Sequence, residues 1–201
     1  MRMTAILAFG VSILASSGAF AQASPLGAER PGLPALEFTL SDETLQAEYL
    51  RDARPVNIER GELSAGVFLS EERDIVGMIG LLAPADLDLG RLSLSFGPRA
   101  YAALLENEDD DVLALSLGVE ARFDVARARS VALAGHAYYA PDILTFGSAD
   151  NVTDLMARAE LRATERIIAF IGMRWFEMDL VAGGSRELQE ELIVGVHWRL
   201  D

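Results

Sequence analysis

The last stretch of the chain, residues 166–200, alternates apolar side chains with polar or mixed ones. One apolar set consists of Ile167, Ala169, Ile171, Met173 and Trp175, and a second of Leu192, Val194, Val196, Trp198 and Leu200. Successive side chains of a β-strand point to opposite faces, so each run has one apolar face. A transmembrane barrel strand requires this pattern, because one face meets lipid and the other a polar interior. A soluble sheet can show the same alternation, so the rest of the sequence is needed to distinguish a soluble sheet from a transmembrane barrel.

The same alternation recurs along the chain and predicts ten strands, at residues 36–40, 45–49, 62–70, 75–82, 92–97, 113–123, 131–139, 155–162, 166–175 and 191–200. Run 75–82 is apolar on both faces and gives no face assignment. Pro98 predicts a bulge or a change of face. The first two strands are the weakest, so eight is the alternative. The predicted fold class is all-β, an antiparallel up-and-down transmembrane β-barrel.

The connections between these strands differ in length and charge. The longer or more charged ones, predicted to face outward, are 71–74, 105–111, 140–151 and 179–187, whereas 125–129 and 163–165 are short. Long outer loops and short periplasmic turns are typical of bacterial barrels. Connection 52–61 is long yet falls on the periplasmic side. Aromatic residues near strand ends suit interfacial girdles: Tyr49, Phe96, Tyr101, Phe123, Tyr139, Trp175 and Trp198.

The N-terminus has the features of a secretory signal. Arg2 precedes an apolar run at 6–14, and small residues then flank Phe20 and Gln22. We predict a signal peptide at 1–21, cleaved after Ala21 or Ala23, then a flexible lead at 22–35 and a barrel domain at 36–201. The predicted location is therefore the outer membrane of a Gram-negative bacterium.

Composition narrows the possible functions. The chain has 17 Lys+Arg against 31 Asp+Glu, a net charge of −14, which argues against nucleic-acid binding. It has no cysteine, so a disulfide or a lipid-anchored cysteine is excluded. No segment after the signal offers about 18 consecutive apolar residues, so a membrane-spanning helix is not predicted. Export, a hydrophobic fraction of 51% and the lack of such a helix together favour a small barrel.

The polar face of the predicted strands supplies the candidate lumen-lining residues: Glu120, Arg122, His136, Arg158, Glu160, Arg162, Arg174, Glu191, His197 and Arg199. Inward charges commonly pair across strands, because an unpaired charge in a narrow interior is costly. A narrow ion-selective passage is the alternative. Side chains just fill the interior of a small barrel, whereas open channels belong to about 16 or more strands. The packed interior is therefore favoured.

Other candidate chemistry is sparse. The acidic residues Glu106, Glu108, Asp109, Asp110 and Asp111 form a candidate cation-binding loop. They lack the spaced order of an EF-hand, and a solvated loop is favoured. The two histidines lie in no catalytic motif, and no Gly-x-Ser-x-Gly elbow is present. We predict no catalytic residues, no metal and no cofactor.

The segment 138–146, Tyr-Tyr-Ala-Pro-Asp-Ile-Leu-Thr-Phe, resembles the YfaZ family of predicted outer-membrane proteins. The opening segment 38–44 and the closing strands around Arg174 are similar too, so the resemblance covers roughly residues 36–200. It implies an outer-membrane barrel with no settled biochemical activity and no catalytic residues to carry over.

The predicted function is a structural or narrow porin-like outer-membrane barrel without catalytic activity. Its expected partners are outer-membrane lipid, lipopolysaccharide and the barrel-assembly machinery, and the expected state is a monomer. One alternative is an outer-membrane hydrolase acting on lipid or peptide. Another is a soluble periplasmic barrel that binds a ligand, which should place its apolar face inward and its charges outward.

Overall fold

The computed structural model describes residues 33–58, 60–85, 87, 89–106, 111–125, 130–181 and 183–200. The strands in these ranges form one antiparallel sheet: β1 (Ala35–Leu40), β2 (Thr44–Asp52), β3 (Glu62–Ser70), β4 (Ile75–Pro84), β5 (Leu92–Leu104), β6 (Val112–Asp124), β7 (Val131–Ala140), β8 (Thr145–Gly147), β9 (Ala149–Arg162), β10 (Ile167–Leu180) and β11 (Ser185–Arg199). The predicted signal peptide and nearly all of the predicted lead lie outside the described residues. None of the described helices is long and apolar enough to cross a membrane.

The sheet closes on itself. β1 pairs with β2 on one side and with β11 on the other, from Ala35 opposite Arg199 to Leu40 opposite Val194. At the opposite side of the ring, β5 pairs with β6. Ten strands, β1 to β7 and β9 to β11, complete the barrel. The predicted fold class and the prediction of ten strands are confirmed, including the two weak N-terminal strands.

The short strand β8 was not predicted, because it lies within the expected loop 140–151. β7 pairs with β6 only from Leu117 to Asp124. After a single 3₁₀ turn at Asp142–Leu144, β8 pairs with Val112–Ala114 of β6. β8 therefore continues the line of β7 and pairs with three of the five β6 residues, 112–116, that β7 leaves unpaired.

The two ends of the barrel differ. At the end where β1 begins and β11 finishes, called here the termini end, lie connections 53–61, 85–91, 125–130 and 163–166. The opposite end, called the far end, carries connections 41–43, 71–74, 105–111, 141–148 and 181–184, so all the predicted outer connections share one end. Connection 181–184 is shorter than expected, because β10 and β11 extend as a hairpin with a register shift after Phe176.

The two faces of the wall have opposite character. Large apolar side chains are exposed on the outside, for example Leu113, Leu117 and Phe123 on β6. The inner face carries polar and charged residues towards the termini end and apolar ones towards the far end. This is the reverse of the arrangement expected for a soluble barrel.

Strand β4 illustrates why its faces could not be assigned from sequence. Val76 and Met78 point inward and are buried, whereas Ile75 and Ile79 are exposed on the outside. Both faces are apolar because the inner one belongs to a cluster of buried residues at the far end, the far-end apolar layer: Phe68, Val76, Met78, Tyr101, Ala103, Leu105, Val112, Ala114, Ala140, Ala149, Val152, Phe176, Met178 and Leu188.

The expectation that the chain changes face at Pro98 is wrong. The pairing of β5 with β6 runs without a shift through Gly97, Pro98 and Arg99. Alternation therefore continues, and Tyr101 points into the barrel, where it is fully buried. Tyr101 does not belong to an outer aromatic girdle, and its ring centroid lies 5.4 Å from that of Phe176 in the far-end apolar layer.

Candidate functional site: a charged cavity inside the barrel

A cavity of about 330 Å³ occupies the interior on the termini side of the far-end apolar layer. Its ionisable lining residues come from strands around the whole ring and from the connection before β3: Glu37, Glu48, Arg60, Glu62, Arg99, Glu120, Arg122, His136, Arg158, Glu160, Arg174 and His197. Arg60 at its rim is exposed, so the cavity meets solvent at the termini end.

Asp154 on β9 is the most heavily contacted charge in the interior. It is fully buried, and Arg174 of the neighbouring strand β10 donates two hydrogen bonds of 2.9 Å to its two oxygens. The Tyr101 hydroxyl donates to Oδ2 at 2.9 Å, and His136 Nε2 lies 3.2 Å from Oδ1. Such a fork-on-fork arginine pair, completed by further donors, offsets the cost of burying both charges.

Arg174 connects this carboxylate to the far-end apolar layer. Its guanidinium lies 4.8 Å from the ring centroid of Phe176 and 5.5 Å from that of Phe68, and it also donates to the Gln46 side chain. The two rings lie 5.6 Å apart in an edge-to-face arrangement. The charged and apolar layers of the lumen are therefore in direct contact.

Arg99 on β5 contacts a second group of carboxylates. Its Nη2 lies 3.3 Å from Glu48 and 3.8 Å from Glu120, while its guanidinium stacks 4.4 Å from the centroid of Tyr138. The Tyr138 ring in turn covers Gly118, where a Cβ atom would come within 2.1 Å of it. The glycine thus makes room for the ring that supports Arg99.

A further cluster lies nearer the termini end. Arg158 bridges Glu37 at 2.7 Å and Glu160 at 2.8 Å, and Arg122 also pairs with Glu160. His197 Nδ1 lies 3.3 Å from the other oxygen of Glu37. The contacts run between β1 and β9, which are separated by two strands, so they cross the barrel interior.

The structure brings seven of the ten predicted lumen-lining residues into this cavity: Glu120, Arg122, His136, Arg158, Glu160, Arg174 and His197. Arg162, Glu191 and Arg199 are half-buried and do not line it. Glu191 stands opposite Arg174 in the β10–β11 register, and Arg199 donates to the carbonyl oxygen of Glu165.

Sequence reasoning missed four central residues, namely Asp154, Arg99, Glu48 and Glu37. Asp154 lies just before the predicted start of its strand, and Arg99 follows the proline at which a change of face was expected. Glu37 and Glu48 alternate correctly with apolar neighbours but lie in the two weakest strands. Simple continuation of the period-two pattern would have placed all four on the polar face.

Charged residues also meet at the far end. Asp74 is buried and accepts hydrogen bonds from Arg186 at 2.9 Å and from the backbone N–H of Glu106 at 3.2 Å. The Glu106 carboxylate accepts from Arg73 at 2.8 Å. Of the candidate cation-binding loop, Glu108, Asp109 and Asp110 lie outside the described residues. The described ranges contain no group of three or more His, Asp or Glu side chains that could hold a metal ion.

The buried cluster around Asp154 leads to a stability prediction. Asp154→Asn leaves the guanidinium of Arg174, which is 2% exposed, without its counter-charge, and we expect a loss of about 3–5 kcal/mol in unfolding free energy. Glu106→Gln is the control, because its pair with Arg73 is solvent-exposed and we expect less than about 1 kcal/mol. Urea unfolding of the refolded protein in lipid vesicles measures both. Equal losses would contradict the role given to Asp154.

Two solved structures of outer-membrane proteins are similar to this chain. Among solved structures, the chain resembles the outer membrane channel DcaP of Acinetobacter baumannii, with a TM-score of 0.40 and 10% identity over 82% of this chain and 54% of that one. It also resembles an anion-selective porin from Comamonas acidovorans, with a TM-score of 0.35 and 14% identity over 78% of this chain and 47% of the porin. The chain spans about half the length of each.

No curated protein matches the sequence. The family model described as YfaZ precursor matches residues 64–198, which is more than half of the chain. The resemblance seen at residues 138–146 is confirmed, and the chain belongs to the YfaZ family.

Proposed function

We propose that this chain is an outer-membrane β-barrel protein whose lumen is closed by side chains. The observation that carries the proposal is the apolar outer face of the barrel combined with a charged interior. Leu117 is 64% exposed, Ile79 66% and Leu192 56%, and each lies on a different part of the wall. Apolar patches of more than a few hundred Å² are rare on soluble proteins. A lipid bilayer is the environment that matches such a wall.

The outward-facing aromatic residues support a membrane setting. Phe123 and Trp198 lie near the termini end of the wall, and Tyr139 and Trp175 lie towards the far end. Rings at two levels suit the two membrane interfaces, where one edge of the ring meets hydrocarbon and the other meets water. Lipid is therefore the proposed partner of the outer face.

The hairpin of β10 and β11 supports an orientation. These strands are 14 and 15 residues long, whereas a spanning strand needs about 9–11. The surplus lies at the far end, where β1 stops at Leu40 and leaves the first part of β11 unpaired on that side. Long extensions are typical of the extracellular side, so we propose that the far end faces outward and the termini end faces the periplasm.

The lumen supports a closed rather than a conducting barrel. Seen from the termini end, the cavity stops at Arg174, beyond which Phe68 and Phe176 pack edge to face, both fully buried. A conducting pore needs a continuous water path, and this layer interrupts it. The predicted narrow passage would require these rings to move.

The two histidines support a structural rather than a catalytic role. His136 lies against the buried carboxylate of Asp154, and His197 lies against Glu37. Each ring thus belongs to an ion-pair cluster. A catalytic base would instead need a nucleophile or a substrate proton within hydrogen-bond reach.

The location is tested by cell fractionation and electrophoresis. We expect the protein in the outer-membrane fraction, with a mobility that changes when the detergent-extracted sample is boiled, because a closed barrel stays folded until heated. A known soluble periplasmic protein is the control for the fractionation. Recovery in the soluble periplasm without a heat-dependent shift would contradict the proposal.

The closed lumen is tested by conductance in planar bilayers. We expect the unmodified protein to give no stepwise ion current, and the double variant Phe68→Ala with Phe176→Ala to give one, because it removes two of the three rings that fill the lumen at this level. Phe123→Ala, which alters an outward-facing ring, should stay silent. A current through the unmodified protein would refute closure. A silent double variant that still shows the heat-dependent shift would refute the role of the two rings.

A further inference from the structure

The wall of the barrel has a gap at the far end, called here the β11 gap. β1 pairs with β11 from Ala35 opposite Arg199 to Leu40 opposite Val194, and the chain then turns into β2. β11 itself begins at Ser185, and within the described part of the chain no strand pairs with residues 185–193 on the side away from β10. This part of β11 is therefore a sheet edge, and the backbone groups of such an edge can pair with a further strand.

The hydrogen-bond pattern shows which backbone groups face the β11 gap. Arg199 donates its N–H to Arg166 on the β10 side, whereas Leu200 donates its N–H to Pro34 on the β1 side. Residues of a paired strand alternate in the side to which they hydrogen-bond, so the even-numbered residues of β11 face the β1 side down to the register shift at 187–189. The N–H and C=O groups of residues 190 and 192 therefore face the gap, and no backbone group of another described residue pairs with them there.

Side chains bridge the β11 gap on its lumen side. The Gln189 amide donates to Thr44 Oγ1 at the start of β2 at 2.6 Å, and Arg186 donates to Asp74 at 2.9 Å. Gln189, Thr44 and Asp74 are buried, whereas Glu190 on the edge is exposed. The two sides of the gap are therefore tied together on the inside of the wall, while the edge of β11 is exposed on the outside.

The rim of the β11 gap is formed by β11 and two neighbouring turns. The β1–β2 and β3–β4 turns are in contact, because the Glu71 N–H donates to the carbonyl oxygen of Glu43 at 2.8 Å. Glu72 in the second turn accepts from Arg186 of β11 at 2.6 Å. The turns and the edge strand therefore form one continuous surface.

This rim is strongly acidic. Two arginines lie in it, and both are engaged, Arg186 by Asp74 and Glu72 and Arg73 by Glu106. Carboxylates gathered around one opening favour a cationic partner, because its charges offset their mutual repulsion. The exposed carboxylates of the rim are Asp42, Glu43, Glu71, Glu72, Glu187 and Glu190.

We propose that the β11 gap binds an extended cationic peptide, which adds to the edge of β11 as a further strand and places its Lys or Arg side chains among the rim carboxylates. In strand addition, backbone hydrogen bonds give affinity and alternate side chains give specificity. A second copy of this chain fits less well, because its own β11 edge would set acidic residues against acidic residues. The inference needs only the closed barrel, and it holds whichever side of the membrane the far end faces.

The peptide Lys-Val-Lys-Val-Lys-Val-Lys is a suitable probe, because valine favours the extended conformation and every second residue carries a positive charge. The full barrel, folded in micelles of an uncharged detergent and checked by its heat-dependent mobility shift, is titrated with this peptide by calorimetry. We expect saturable binding of one peptide per barrel. The same peptide methylated on every backbone nitrogen keeps its lysine charges but loses its backbone donors, and we expect it to bind at least tenfold more weakly.

Two substitutions at one position separate the backbone edge from its charge. Glu190→Gln keeps the N–H that faces the gap, and we expect binding at most about fivefold weaker, since one exposed charge contributes little. Glu190→Pro also removes that N–H, a change that an edge strand tolerates, and its ring obstructs the incoming strand. We expect it to bind at least about tenfold more weakly than Glu190→Gln. Glu165→Gln, which changes an exposed carboxylate at the termini end, should bind as the unmodified protein does.

Absence of saturable binding would overturn the proposal. Equal binding of the methylated peptide, or equal binding by Glu190→Pro and Glu190→Gln, would also overturn it, in favour of charge attraction without strand addition. A dimer that forms without peptide and that Glu190→Pro dissociates would overturn it in favour of a second copy. If Glu190→Pro lacks the mobility shift, the methylated peptide decides. Because the titration needs no bilayer, its outcome is independent of the location and conductance tests.

Discussion

The exclusion of charge from the outer wall is the constraint on which the rest of this structure depends. With large apolar side chains covering the outside, most charged strand residues must point inward, where water is scarce and each needs a partner. Asp154 shows the consequence most clearly, since Arg174, Tyr101 and His136 all converge on one buried carboxylate. Arg174 and His136 lie on the two strands that flank β9, whereas Tyr101 lies on β5, so satisfying this charge also ties together strands that are not neighbours. Closure of β1 on β11 meets the same demand for the backbone over the six residue pairs from Ala35–Arg199 to Leu40–Val194.

The lumen is divided along its axis, and this division decides what the barrel can do. Towards the far end the inner face is apolar, and the rings of Phe68, Tyr101 and Phe176 fill the space. Towards the termini end the inner face is polar and encloses a cavity bordered by ion pairs. The polar cavity is open at the termini end and closed at the other by the far-end apolar layer. A lumen of this shape offers no continuous water path, which supports the proposed function.

Much of the fold could be predicted from sequence, because period-two alternation determines both the strands and the residues that share a face. β6 and the pair β10 and β11 are the clearest cases, and Arg158 and Arg174 were assigned to the inner face on this ground. Alternation alone could not decide which face meets lipid, nor could it give the partners across the interior, since Arg158 and Glu37 are far apart in the chain. The failures are local. Tyr101 was misplaced because it was grouped with the aromatic residues near strand ends, and β8 was missed because three paired residues within a loop leave no periodic signal.

The most direct test of the account is a cysteine scan along β6, residues 112–124, reading out contact with lipid. The chain has no cysteine, so each single-cysteine variant carries one label only. With an environment-sensitive fluorophore and brominated lipid in reconstituted vesicles, we expect quenching at the odd positions from 113 to 123 and little at the even positions. That result would establish a lipid-facing apolar wall around a charged interior. Quenching at the even positions, or no alternation, would contradict the account.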